Sequence, residues 1–264
     1  MKKNRTVHIY LKTKYRVNDH GAFKWNLLIS MILALMVASW STGWAISGNY
    51  IEIKTLPLKE ALQTTLNWHV SAYQIKEEGG VFLTTTKISA RLCFWHDEKE
   101  KQHLCFPAEI GPSKFPVVKE LSIVPFRKNR EPKYGILFIS THLGAIEPLH
   151  LISIWIFRKE IDTFVNVLPH IILNEQSEYK LFSIFKEKEE VIFVTANRIW
   201  KGGEEMLYGP HQFEISIYKY TEKNIFKYVD KYITKRKYLS FENAHRIDVI
   251  RPELRNIEKY FRLN

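Results

Sequence analysis

The chain has 264 residues, of which 45% are hydrophobic and 14% aromatic, and it contains no low-complexity tract. Its formal net charge is +11, but seven lysines and arginines and one acid lie in the first 45 residues, so the later residues carry only +5. The basic composition is therefore partly a property of the N-terminal segment, and it does not indicate a nucleic-acid partner.

Residues 25–45 form the most informative stretch of the chain. The run from Leu27 to Trp40 is uncharged and follows a basic segment, a pattern that addresses a chain to a membrane. Cleavage after Ala45 would make residues 1–45 a signal peptide, whereas retention would leave a membrane anchor. A buried core helix is a third interpretation. We expect residues 46–264 to form a single exported β-rich domain, periplasmic or extracellular, with membrane contact through residues 25–45 if they are not cleaved.

A short helix is predicted near the start of this domain, over Leu58–Leu66. Thr55 precedes it and Pro57 stands at its start, where proline is favoured in helices.

The two cysteines of the chain, Cys93 and Cys105, lie in two short apolar runs separated by a charged centre. This pattern predicts a β-hairpin closed by a disulfide, which an oxidising compartment permits. The pairing would place four apolar side chains on the opposite, core-facing side of the hairpin: Leu92, Phe94, Leu104 and Phe106. We expect no metal here, because the spacing of the cysteines and histidines is not that of a zinc finger.

A weak internal repeat organises the second half of the chain, with units near residues 118–168 and 179–234. Residues 136–141 match residues 191–196, and residues 149–157 match residues 211–219. Each unit reads as four antiparallel strands in a meander, and a third, partial copy covers residues 81–106. We therefore predict an all-β fold of meander units with a propeller-like or sandwich arrangement.

The C-terminal part contains a predicted helix and a basic cluster. Residues 252–261 carry Leu254, Ile257 and Phe261 on one helical stripe, which predicts a helix packed on the sheet. The cluster interleaves cations with Tyr232 and Tyr238, and it favours either the polar edge of a β-ribbon or a surface for an anionic partner. Its cations are Lys231, Lys235, Arg236 and Lys237.

Motifs of known enzyme classes, such as G-x-S-x-G, H-E-x-x-H and the P-loop, do not occur in the chain. Polar residues concentrate instead in the long loop of each repeat unit. If the units stack side by side, both loops emerge at one edge, where they would form a binding surface. The candidate residues are His142, Glu147, His150, Arg198, Trp200, Glu204, Glu205, Tyr208 and His211.

Three functions are compatible with this pattern. The first is an exported, non-enzymatic binding protein for an unknown protein or glycan ligand, without a cofactor or bound metal. The second is a metal-assisted hydrolase with its site on the loops 142–150 and 197–211. The third is an anchored accessory subunit of a membrane complex.

Overall fold

The fold is that of a computed structural model, which describes residues 50–62, 67–75, 88–97, 104–128, 131–142, 148–174, 176–185, 189–200, 209–239 and 248–263. The chain divides into two compact units, residues 1–42 and 43–264. The first unit and the predicted export segment, residues 25–45, lie outside the described residues. Within the ranges just given, we find no helix with the length and apolar character needed to cross a membrane.

Strands dominate the described ranges. In chain order they are β1 (Tyr50–Pro57), β2 (Trp68–Ile75), β3 (Arg91–His96), β4 (Leu104–Pro107), β5 (Glu109–Ile110), β6 (Ser113–Lys114), β7 (Val117–Lys128), β8 (Glu131–His142), β9 (Leu149–Arg158), β10 (Thr163–Asn166), β11 (Ile171–Asn174), β12 (Glu178–Phe185), β13 (Glu189–Arg198), β14 (Pro210–His211), β15 (Phe213–Tyr220), β16 (Phe226–Ile233) and β17 (Tyr238–Leu239). A short helix, α1 (Lys59–Leu62), follows β1, and a longer helix, α2 (Ile250–Leu263), ends the domain.

Most of these strands form three antiparallel sheets. The first sheet has the order β1-β2-β3-β4, the second has β10-β9-β8-β7 with β11 also paired to β9, and the third has β12-β13-β15-β16. Each sheet is largely a meander of consecutive strands. The exceptions are β11, which pairs with β9, and β15, which pairs with β13 although β14 lies between them in the chain. The prediction of a mainly antiparallel β protein with a C-terminal helix is confirmed.

The sheets pack face to face in chain order. Between the first and second sheets, the rings of Phe94 and Phe164 stack with their centroids 3.8 Å apart. Between the second and third, Ile152 and Phe193 lie in one apolar cluster. On the far side of the third sheet, Ile215 packs with Ile257 of α2. The second sheet is therefore buried on both faces, which explains why β9 is apolar at nearly every position.

The disulfide hairpin has the predicted register. Cys93 lies directly opposite Cys105 on neighbouring strands, with an S–S distance of 2.07 Å. The four apolar side chains expected on the other face all belong to the core between the first and second sheets: Leu92, Phe94, Leu104 and Phe106.

Several predicted boundaries differ from the observed ones. Pro57 ends β1 instead of beginning a helix, and α1 is described only over Lys59–Leu62. The leading strands of the first sheet are β1 and β2, whereas the predicted strand at residues 81–86 lies outside the described residues. The stretch after β9 first forms a 3-10 turn, Lys159–Ile161. Asp162, which adopts a left-handed φ of 45°, ends this turn.

Helix α2 begins two residues before the predicted start, and a distant residue explains the difference. One carboxylate oxygen of Glu178 accepts hydrogen bonds from the N–H groups of Val249 and Ile250, at 2.7 and 2.8 Å. Glu178 thus caps the helix from β12 and compensates the positive end of the helix dipole.

Candidate functional site

Five of the nine predicted site residues are described by the structure, and Glu147, Glu204, Glu205 and Tyr208 lie outside the described residues. The five are His142 and His150 in the second sheet, and Arg198, Trp200 and His211 in or beside the third. They fall into two groups at the ends of β8, β9 and β13.

The first group is centred on His150, which is only 7% exposed. Its Nδ1 lies 3.0 Å from Oγ1 of Thr141, its direct cross-strand neighbour on β8. Its Nε2 lies 2.6 Å from Nζ of Lys119, which stands at a bulge in β7. Burial and, secondarily, the positive charge of Lys119 lower the pKa of His150 to about 4. The imidazole is therefore neutral at pH 7.

A polar link between the second and third sheets lies beside this group. The hydroxyl of Tyr179 on β12 donates to the carboxylate of Glu120 on β7 over 2.6 Å, and Ser122 donates to the other oxygen of that carboxylate over 2.8 Å. The apolar core between these two sheets thus ends in hydrogen-bonded side chains at the same end as His150.

His142 lies on the opposite face of the second sheet. Thr141 and His150 face each other across the strands, so the next residue, His142, must point the other way. Its Nδ1 donates to the carbonyl oxygen of Lys114 over 2.9 Å, and its ring packs against the edge of Phe115. These two histidines therefore do not form a common ligand set.

The structure yields no candidate metal centre within the described ranges, where no three His, Cys, Asp or Glu side chains converge.

The second group is built around Arg198 at the end of β13. This side chain is 4% exposed, and its guanidinium donates to the amide oxygen of Gln176. The guanidinium carbon also lies 5.2 Å from the ring centroid of Trp200, and the fully buried ring of His211 contacts the same indole, with centroids 5.6 Å apart. Trp200 itself remains 47% exposed. Buried cationic and imidazole groups thus hold a half-exposed indole in place.

Asn174, at the end of β11, joins the two groups. Its strand neighbour Leu173 pairs with His150, and its own N–H donates to Oδ1 of Asn197 over 3.3 Å. Its side-chain amide donates to the carbonyl oxygen of Arg198 over 3.5 Å. Strand β11 therefore connects the ends of β9 and β13, and both groups lie at one edge of the stacked sheets.

Four residues of this edge carry no signal in the sequence. Lys119, Asn174, Gln176 and Asn197 belong to no motif and have no distinctive spacing, and only the bulge in β7 brings Lys119 to His150. Other aromatic residues of the described ranges have structural positions. Trp68 and Tyr220 are buried, and Trp95 stacks on His69 with centroids 4.3 Å apart.

The arrangement is suited to hydrogen bonding and stacking. It presents a half-exposed indole on a rigid strand end, supported from below by buried amide, guanidinium and imidazole groups. In the comparisons with known proteins, no family model matches the chain, and no curated protein and no solved structure is similar to it.

Proposed function

We propose that this chain is a non-enzymatic binding protein whose ligand, a glycan, stacks on Trp200 at the common edge of the second and third sheets. The observation that carries the proposal is the half-exposed indole, which contacts the guanidinium of Arg198 and the ring of His211. Such a ring loses little conformational freedom when a ligand covers it, which favours binding.

The choice of a glycan follows from the mixture of groups around the indole. A sugar ring offers an apolar C–H face for stacking and hydroxyl groups that both donate and accept hydrogen bonds. The side-chain amides of Gln176 and Asn174 hydrogen-bond to Arg198, which contacts the indole, so polar groups surround the support of that aromatic side chain. A protein ligand would use the same indole as an anchor, and the experiment distinguishes the two.

The test is binding of the full chain to a printed array of glycans. We expect Trp200→Ala to weaken binding by about tenfold, the loss typical of one aromatic contact. The matched control is Tyr228→Ala, which removes a 52% exposed aromatic side chain from β16, away from this edge. Absence of glycan binding, or equal binding by the Trp200 and Tyr228 variants, would contradict the proposal.

Export from the cytoplasm is part of the same proposal. Its support is the basic and then apolar N-terminal sequence, together with the paired cysteines 93 and 105. Intact-mass measurement on native protein tests it, because it reports both loss of residues 1–45 and the two hydrogens removed by a disulfide. Native protein found in the cytosol with both thiols reduced would show that the proposal is wrong.

We also infer a blade-like arrangement, in which the three meander sheets form an open array closed at one end by α2. The face-to-face order of the sheets and the cover that α2 provides over the third sheet support this arrangement.

A further inference from the structure

The net positive charge of residues 46–264 comes from their last part. Residues 46–221 contain 21 lysines and arginines and 21 acids, whereas residues 222–264 contain 11 lysines and arginines and 6 acids. All the net charge beyond the N-terminal segment therefore belongs to the stretch that forms β16, β17 and α2.

The turn between β16 and β17 presents part of this charge on a rigid tip. We define the basic tip as residues 233–239, which contain Lys235, Arg236, Lys237 and no acid. All three cations are exposed. The apolar side chains at the two ends of the tip, Ile233 and Leu239, are also exposed, by 53% and 48%.

A buried threonine determines the shape of the tip. The hydroxyl of Thr234 donates to the carbonyl oxygen of Arg236 over 2.8 Å and accepts the N–H of Phe213 over 3.0 Å. Its carbonyl oxygen accepts the amide of Gln212 over 2.8 Å. A hydrogen-bonded turn thus carries the exposed cations and the two exposed apolar side chains, and the guanidinium carbon of Arg236 lies 5.5 Å from the ring centroid of Tyr238.

Helix α2 adds a second row of cations. Arg251, Arg255 and Lys259 recur every four residues and are exposed, on the side of the helix opposite the buried Glu253 and Ile257. The carboxylate of Glu253 accepts hydrogen bonds from the hydroxyl groups of Tyr232, just before the tip, and Tyr238, within it, at 3.1 and 2.6 Å. One acid of this region is therefore buried and hydrogen-bonded within the protein, where it connects the tip to the helix.

We propose that the basic tip, together with the outward face of α2, contacts the surface of an anionic lipid bilayer. The cations are exposed and spread over a turn and a helix, which matches the distributed charge of a lipid surface better than one discrete anion. The exposed Ile233 and Leu239 add apolar side chains that can enter the headgroup region, a combination typical of interfacial binding.

The experiment places an environment-sensitive fluorophore on the tip of the full chain through Leu239→Cys. This cysteine would be the single reactive thiol of the chain, since Cys93 and Cys105 are joined. The protein is reconstituted with phosphatidylcholine vesicles with and without phosphatidylglycerol. We expect a blue shift of the emission only with phosphatidylglycerol. The shift should be lost when salt is raised from about 0.1 M to about 1 M, because the Debye length falls from about 10 Å to about 3 Å.

Two controls separate tip contact from other membrane binding. The same fluorophore on Ile161→Cys, a 58% exposed position in the 3-10 turn of the second sheet, should show no shift in either vesicle even if residues 25–45 insert. K235E/R236E should abolish the shift at position 239, whereas K59E/K159E, with the same change in net charge at exposed positions elsewhere, should preserve it. An equal shift in both vesicle types, no shift in either, or loss of the shift in both variants would overturn the proposal.

Discussion

The amino group of Lys119 lies 2.6 Å from Nε2 of His150, so close that this ring nitrogen must accept the hydrogen bond and cannot carry a proton. A protonated amine can only donate, so Nε2 accepts and Nδ1 carries the ring hydrogen. That hydrogen is then donated to Oγ1 of Thr141, 3.0 Å away. The contact therefore requires the neutral tautomer with the hydrogen on Nδ1.

This contact predicts an acid-sensitive step in stability. The pKa of His150 is lowered from 6.5 to about 4 in the folded protein, mainly by burial. The unfolded chain then binds the proton more readily, so the contribution is complete above about pH 6.5 and is lost as pH falls toward about 4. We expect a loss of about 1 to 3 kcal/mol in the free energy of unfolding, measured by urea denaturation across this range.

His150→Gln should remove the pH dependence of the free energy of unfolding that His150 causes between about pH 6.5 and about pH 4. The glutamine keeps a hydrogen-bond acceptor near Lys119 but does not titrate. His170→Gln, at an exposed position on the connection between β10 and β11, is the matched control and should keep the wild-type slope. Identical slopes in the His150 variant and the wild type would refute the assignment.

Reduction of the disulfide should destabilise the domain. Cys93 and Cys105 are 12 residues apart, and in the chain-entropy model a loop of about this size contributes about 3 kcal/mol. Urea denaturation with and without reductant measures the loss for the wild type. Cys93→Ala/Cys105→Ala should unfold at the midpoint of the reduced wild type and should not respond to reductant. If reductant leaves the urea midpoint of the wild type unchanged, the stabilising role of the disulfide is contradicted.

Removal of the carboxylate of Glu253 should loosen α2 from the third sheet. This 5% exposed group accepts hydrogen bonds from Tyr232, Tyr238 and the amide of Asn256, and together with burial it raises the pKa of Tyr238. We expect Glu253→Ala to lower the free energy of unfolding by about 2 to 4 kcal/mol, because buried hydroxyl donors lose a charged acceptor.

Hydrogen exchange of α2 and of β17 should accelerate together in that variant, since Glu253 connects them. Arg255→Ala, which truncates an exposed side chain of the same helix, should leave both exchange rates near those of the wild type. Exchange that accelerates in α2 alone would show that the carboxylate does not hold the tip.

Much of the strand pattern was predictable because it depends on neighbours in sequence. The alternation of Phe213, Ile215 and Ile217 with polar residues predicted β15, and these three side chains do share the face covered by α2. The hairpin that contains Cys93 and Cys105 was predictable for the same reason, since its two strands are close together in the sequence. By contrast, β1 was not predicted as a strand. The alternation of Ile51 and Ile53 with Glu52 and Lys54 is short, and both isoleucines are exposed, so no buried face marks the strand.

The site at the common edge of the second and third sheets was only partly predictable, because most of its contacts join residues that are far apart in the chain. Trp200 stood out in the sequence because it lies where local packing does not demand an aromatic residue. Its supports did not stand out, since Gln176 and Arg198 are 22 residues apart and meet only when β11 and β13 are adjacent. Likewise, His142 and His150 look like a pair in sequence, but the strand register separates them onto opposite faces.

The amino-acid sequence by itself determined the β-rich class and the disulfide hairpin, because alternation and turn residues act over a few positions. Only the tertiary structure decided that the meanders stack in chain order, that Glu178 caps a helix 71 residues away, and that Lys119 meets His150. These contacts are set by which sheet faces bury apolar area against each other and by a bulge in one strand, and both depend on residues far apart in the chain.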